Sequence, residues 1–253
     1  MNTHRTDPVR WPFANGPSLP TPHVASMTWR DGLFAHWPVD PDDVRPHVPG
    51  QVSLETRDGR AWLSVVPFVL TDVGVRGTPS IARLAFPELN VRTYVRYRGD
   101  PGLFFFSIDV DNSFVAAAVD RTTRLPVYRA NMRVGATEAN HVAFKSTREQ
   151  RTGDGPARFA ATYRPNGEVF TADPDTLAHW LSARHRFYVP DGDDILTGEV
   201  SHDPWPLQPA AATIHENTMF EANGLPTTAG EPILYYVDEL SMTGSVPRRL
   251  RGG

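Results

Sequence analysis

Four residues able to do chemistry recur at every second position in one stretch of the chain: Glu88, Asn90, Arg92 and Tyr94. Side chains of a β-strand alternate between its faces, so these four share one face while Leu89, Val91, Thr93 and Val95 share the other. Arginine grips a carboxylate or an enolate through two parallel N–H donors. A glutamate drawn out of water titrates closer to neutrality and then serves as general acid or base, while tyrosine and asparagine donate hydrogen bonds to a developing oxyanion. Such a set suits enolisation, dehydration, aldol-type or cyclisation steps on a small carbonyl compound. A plainer reading competes with it: Glu88 and Arg92 form an internal ion pair fixing strand register, Tyr94 is a core aromatic, and the polar side faces water.

The elements that would position these groups can be read from the pattern around them. In residues 103–111 Phe104, Phe106, Ile108 and Val110 alternate with Phe105, Ser107, Asp109 and Asp111. Gly99-Asp-Pro-Gly102 lies between the two runs as a turn signal, so a β-hairpin is expected. Further strands are expected over residues 27–37, 52–56, 60–71, 127–137, 141–149, 157–164, 195–200, 211–217 and 233–240. The second and third of these, 52–56 and 60–71, would join through Asp58-Gly59. Helices are expected over 40–48, 112–122 and 173–184, the first and last opening on Asp-Pro and the middle one on Asn112 or Ser113. Residues 72–83 read as a loop. Many strands with few helices give a mainly β (α+β) class, a largely antiparallel sheet that must close or stack to remove its edges.

The segments Phe86-Pro-Glu-Leu-Asn-Val-Arg-Thr-Tyr-Val95, Gly99-Asp-Pro-Gly-Leu-Phe-Phe-Phe-Ser107 and Leu125-Pro-Val-Tyr-Arg-Ala-Asn-Met132 resemble the YqjF-like family, within the acetoacetate decarboxylase-like superfamily. Trp29-Arg-Asp-Gly-Leu-Phe-Ala-His-Trp-Pro-Val39, Arg184-His-Arg-Phe-Tyr188 and His202-Asp-Pro-Trp-Pro-Leu207 extend the resemblance from about residue 27 to about residue 240. It implies an antiparallel, barrel-like double sheet with a central ligand cavity and a few peripheral helices. Acetoacetate decarboxylases use a lysine Schiff base whose pKa is lowered by a neighbouring lysine. The pair follows a proline in a segment that matches Leu125-Pro126-Val127-Tyr128, so it falls on Val127 and Tyr128, neither of which forms an imine. The superfamily's arginine ahead of the first strand corresponds to Arg30 and one glutamate to Glu88, while a second glutamate falls near Leu63 or Ser64. The expected catalytic residues are therefore Glu88, Arg92 and Arg30, with Asn90, Tyr94, Tyr128 and Ser107 binding substrate. His36 and Trp37 are placed at the mouth of the cavity, and the segments 184–188 and 202–207 are given structural roles, with Trp205 packing and His202 bonded to backbone.

Composition narrows the field. The 253 residues include no cysteine, which removes disulfides, thiolate catalysis and Cys-ligated zinc. A net charge of −4 argues against a nucleic-acid partner. No run approaches the roughly 18 apolar residues of a membrane span, and the proline-rich residues 1–26 lack an apolar signal core. A cytoplasmic chain is the expectation, with an extended arm (1–26), one domain (27–242) and a tail (243–253), and homo-oligomerisation left open. The nine histidines show no zincin spacing and the two Asp-rich turns no calcium-loop spacing, so neither a metal nor another cofactor is expected.

The reading is thus an enzyme of lyase or isomerase type that handles a small keto or carboxylate metabolite without a Schiff base. Its rivals are a non-catalytic small-molecule binder with the same cavity and a structural protein whose interior is filled by side chains. Lys145 is the one lysine in the chain and reads as a surface charge on a different strand. Borohydride added in the presence of any small carbonyl compound should therefore trap no adduct by intact-mass measurement. A mass increment mapping to Lys145 would reinstate imine chemistry.

Overall fold

Residues 21–112, 124–139, 141–148 and 156–251 are described by the computed structural model. The strands are β1 (His23–Val39), β2 (Ser53–Leu54), β3 (Ala61–Val75), β4 (Leu84–Tyr97), β5 (Asp100–Val110), β6 (Val127–Ala136) and β7 (Val142–Arg148). They continue with β8 (Arg158–Pro165), β9 (Arg186–Asp191), β10 (Asp194–His202), β11 (Gln208–Asn217), β12 (Ile233–Ser245) and β13 (Arg248–Leu250). Two α-helices accompany them among the described residues, α1 (Pro41–Val44) and α2 (Leu177–Ser182). The middle helix expected from sequence falls, beyond Asn112, outside the described residues.

All thirteen strands belong to one sheet, and the additional pairings β4–β5 and β10–β12 close it on itself twice. The smaller circuit runs β12-β1-β3-β4-β5-β9-β10, and the larger runs β5-β6-β7-β8-β11-β12-β1-β3-β4. Closure removes the unpaired edges that an open sheet would offer to other chains. Strands β12, β1, β3, β4 and β5 serve both circuits, so their two faces meet different surroundings. That explains why β3, expected to be apolar on both sides, is buried along nearly its first ten residues. The pairing is antiparallel except where β5 runs parallel to β6 and to β9.

Strand β4 shows the division. Leu89, Val91 and Val95 pack with Leu33, Ala35, Met132, Phe144 and Phe159. From the opposite face Phe86 joins Phe34, Val66, Phe68, Ile108 and Trp205, while Tyr94 joins Trp62 and Leu181.

Several local expectations are revised. The β4–β5 turn consists of Arg98 and Gly99, with φ of 51° and 91°, so Pro101 and Gly102 lie inside β5. A two-residue turn with both φ positive matches the twist of its flanking strands, which is why the chain reverses there. Val91 faces Ser107 but Arg92 faces Phe105, so Phe106 is an extra residue in a β-bulge. The bulge brings Phe105 to the face of Glu88 along with Ile108 and Val110, and turns Ser107 and Asp109 to the other. Helix α2 starts only after Asp175, whose φ of 72° is outside the right-handed region, and Thr176 caps it by accepting from the His179 N–H. β2 pairs with β4 and not with β3. β1 begins within the expected arm, β13 occupies the expected tail, and β9 has no counterpart in the expected strands.

Helix α2 is latched over the end of β4. The Glu55 carboxylate accepts from Arg96 at 2.7 Å and from the Trp180 indole at 3.2 Å through one oxygen, and from Arg184 at 2.6 Å through the other. The Arg184 guanidinium lies over both Trp180 and Tyr94, 4.6 and 5.3 Å from their ring centroids. Both members of the Glu55–Arg184 pair are buried, so removing one leaves an uncompensated charge. Glu55→Ala should cost about 3 kcal/mol in urea unfolding, with Glu55→Gln costing less because the amide oxygen still accepts.

Candidate functional site

The register of four adjacent strands builds a row of side chains. Ile233 of β12 is opposite His36 of β1, His36 opposite Ser64 of β3, Ser64 opposite Arg92 of β4, and Arg92 opposite Phe105 of β5. Parallel to this row lie Tyr235, Phe34, Val66, Asn90 and Ile108, and then Phe68, Glu88 and Val110. Trp205 covers Phe34 edge-on at 5.1 Å, and α2 covers Tyr94 through Leu181 and Trp180. The polar face of β4 is therefore turned into the protein and not toward bulk water. Asn90, Arg92 and Tyr94 are almost wholly buried, and Glu88 is partly buried.

Arg92 is the unusual member. Among the described residues no carboxylate lies within ion-pair distance of it, and its Nε has no hydrogen-bond partner. Its guanidinium stands 5.3 Å from the centroid of the Phe34 ring, a cation–π contact. Burial lowers its pKa, while Tyr94 and Glu88 act in the opposite direction. The Glu88–Arg92 ion pair of the plainer reading is not formed. Burial pushes the Glu88 carboxyl up to about 7, and the Asn90 amide and the Arg92 charge only partly offset it. A carboxyl that titrates at neutrality can both take and give a proton there.

Tyr94 is engaged within the protein. Its hydroxyl donates to the carbonyl of Leu181 at 3.1 Å and lies 3.0 Å from Ser64 Oγ and 3.2 Å from His36 Nδ1. Ser64 and His36 are themselves 2.7 Å apart. Both are completely buried, and neither was assigned to the site from sequence. Ser64 stands near where the superfamily's second glutamate was expected, which was the one available signal. His36 carried only the suggestion of a cavity mouth, and Trp37 packs in the opposite core.

Three other expected residues are placed elsewhere. Arg30 pairs with Glu239 at 2.6 Å with about half of each side chain exposed. Ser107 faces the other core because of the bulge, and its hydroxyl accepts from Asn223 at 3.1 Å. Tyr128 is exposed and stacks on Arg148 at 4.1 Å, over the buried Arg148–Asp109 pair. Burial pushes Asp109 up to about 6 in spite of Arg148. Of the two positions that the resemblance matched to the decarboxylase lysines, Val127 pairs with Ile108 and packs in the core on the Glu88 side. Lys145 is exposed on β7. Trp205 is buried, and His202 bonds the Asp203 carbonyl at 2.7 Å. Among the described residues no group of three or more His, Asp or Glu side chains is placed to hold a metal ion, and no helix is long and apolar enough to cross a membrane.

A raised carboxyl pKa makes the folded state bind the extra proton. Glu88 therefore contributes stability that is complete below its ordinary value of 4.5 and is lost as pH rises through about 7. The full shift would correspond to about 3 kcal/mol, and the partial exposure of Glu88 makes this a ceiling. Asp109 titrates in the same direction, so the informative measurement is a difference between variants. Glu88→Gln mimics the neutral form. It should match the parent protein in urea unfolding at pH 4 and exceed it at pH 8.

The match to known proteins agrees with this architecture. Residues 26–241 match the model of the family DUF2071, an uncharacterized conserved protein. Over 214 residues the chain is 40% identical to the uncharacterized protein YqjF of Bacillus subtilis (strain 168), covering 84% of this chain and 87% of that one. Among solved structures, the enduracididine biosynthesis enzyme MppR with HEPES bound is similar with a TM-score of 0.62 at 15% identity, covering 96% of this chain and 98% of that one. MppR complexed with pyruvate gives 0.61 at 13% identity and 94% coverage of both chains. Acetoacetate decarboxylase from Legionella pneumophila gives 0.55 at 15% identity, covering 97% of this chain and 98% of that one. At such identities the likeness concerns the fold, which is acetoacetate decarboxylase-like. The family match and the YqjF identity go further: the chain belongs to the DUF2071 family and is a homologue of YqjF.

Proposed function

We propose that the protein is a cofactor-independent enzyme of lyase or isomerase type acting on a small keto or carboxylate compound at the Glu88–Asn90–Arg92 face. The observation that carries this reading is Arg92, a buried guanidinium without a carboxylate partner among the described residues. Its donors suit the carboxylate or developing enolate of a ligand in two-point contact. Glu88, four residues along the same strand, exchanges a proton with the carbon next to the ligand's carbonyl. Asn90 lies between the two and contributes an amide to the same oxyanion. With Val127 at the position matched to a decarboxylase lysine, the electron sink is the hydrogen-bonded enolate and not an iminium ion. A similarly folded enzyme, MppR, has been crystallised with pyruvate, which makes 2-oxo acids the first compounds to try.

The test is binding followed by exchange. Pyruvate and 2-oxobutyrate should raise the melting temperature of the parent protein. Arg92→Met should abolish that shift. In deuterated buffer, NMR should show enzyme-dependent exchange of the carbon-bound protons next to the carbonyl, and Glu88→Gln should retain binding while slowing exchange at least about 100-fold. Binding without exchange would make the protein a small-molecule binder. No binding of any carboxylate would remove Arg92 from the anion role.

A further inference from the structure

We infer that His36 is a ligand-contacting residue of this face, presenting an unprotonated Nε2 that accepts a hydrogen bond from the hydroxyl of a small hydroxy carboxylate held by Arg92. The inference rests on the anion-binding reading above and adds the chemical class of the ligand's second group.

The tautomer follows from counting protons. Four short contacts link these groups: His36 Nδ1 lies 2.7 Å from Ser64 Oγ and 3.2 Å from Tyr94 Oη, Ser64 Oγ lies 3.0 Å from Tyr94 Oη, and Tyr94 Oη lies 3.1 Å from the Leu181 carbonyl. The carbonyl only accepts, so the Tyr94 proton belongs to it. Ser64 then donates to Tyr94, and the remaining proton, between His36 and Ser64, must come from Nδ1. If Nδ1 were bare, two hydroxyl protons would serve four contacts, pressing two pairs of lone pairs together inside the protein, whereas an Nδ1–H donates to Ser64 and also faces the Tyr94 oxygen. The Nε2–H would also be a buried donor without an acceptor, since Nε2 has no partner. The chain ends on a carbonyl that cannot take up a proton. It therefore fixes the imidazole and conducts nothing, which makes Ser64 and Tyr94 positioning residues.

What Nε2 can receive follows from its surroundings. The imidazole is fully buried, stacks on Phe34 at 5.9 Å between centroids and is tilted against Tyr235 at 6.2 Å. Burial and the Arg92 charge hold its pKa well below the ordinary range, so it is a neutral acceptor. The Arg92 charge disfavours a cationic donor such as an ammonium group beside it and favours an anionic ligand. His36 and Arg92 flank Ser64 in one cross-strand row, so their Cα atoms are two strand spacings apart, roughly 10 Å. Their side chains project from the same face, and a carboxylate on one and a hydroxyl on the other describe a short hydroxy acid.

Two measurements decide the matter. Long-range 15N–1H correlation on histidine-labelled protein, with the His36 signals identified by their loss in His36→Gln, should show the Nδ1–H pattern. An Nε2–H pattern overturns the inference without any ligand being needed. In titration calorimetry 2-hydroxybutyrate should bind the parent protein at least about fivefold more tightly than butyrate, the gain of one hydrogen bond. His36→Phe should erase that ratio while leaving butyrate affinity nearly unchanged, which a purely structural histidine would not do. Equal affinities in the parent protein overturn the role of His36 and leave the anion site standing, whereas binding of neither acid overturns both.

Discussion

A guanidinium held inside a protein without a carboxylate beside it is costly, several kcal/mol even after the surroundings relax. Such a group persists only where the chain cannot turn it out to solvent. Arginine readily extends its head to water along its own apolar stem, so the strand that carries Arg92 must be pinned. On one side Leu89, Val91 and Val95 are locked into a core with residues from β1, β6, β7 and β8. On the other, the Phe34 ring and the Tyr94 hydroxyl lie close to the charge.

The doubly closed sheet supplies that rigidity. β4 is bonded to β3 along one edge and to β5 along most of the other, with β2 completing the pairing near its end. Because β4 belongs to both circuits, a displacement that freed Arg92 would disturb two packed interiors at once. Helix α2 adds a second restraint. It brings a further cation, Arg184, close enough to raise the cost of Arg92, and Glu55 neutralises that cation by direct pairing. Arg92 is thus left, among the described residues, without a carboxylate partner, its charge answered only by the Phe34 ring and the Tyr94 hydroxyl.

How much of this could be read from residues alone depends on what sets each feature. The two-faced character of residues 86–96 is a property of strand periodicity, and it was legible. So were the fold class and most strand positions, because apolar alternation and turn dipeptides specify them locally. The bulge at Phe106 was not, since it depends on how β5 fits its neighbours, and it carried Ser107 away from the face where simple alternation put it. Arg30 and Tyr128 were assigned through a resemblance and not through their own surroundings, and nothing local marked them as exposed. His36 and Ser64 were missed for a related reason. Cross-strand register, set by the whole β12-β1-β3-β4 ladder, puts them beside Arg92, although 28 residues separate them from each other and more than that lies between His36 and Arg92.

The spacing within β4 explains why its two opposite charges stay apart. Residues four positions apart on a strand have Cα atoms roughly 13 Å apart, too far for Glu88 and Arg92 to close into an ion pair while both side chains stand upright. Two positions apart they would have met, neutralised each other and left the face inert. Asn90 occupies that intermediate place, neutral and able to donate to Glu88 without quenching Arg92. The separation has two consequences that reinforce one another. Arg92 remains a cation without a carboxylate partner among the described residues, and Glu88, feeling that cation only weakly, keeps a pKa set mainly by its burial. If, as proposed, a ligand carboxylate satisfies Arg92, it would bring negative charge toward Glu88 and raise its proton affinity further, so that binding and protonation of Glu88 would be coupled through one field.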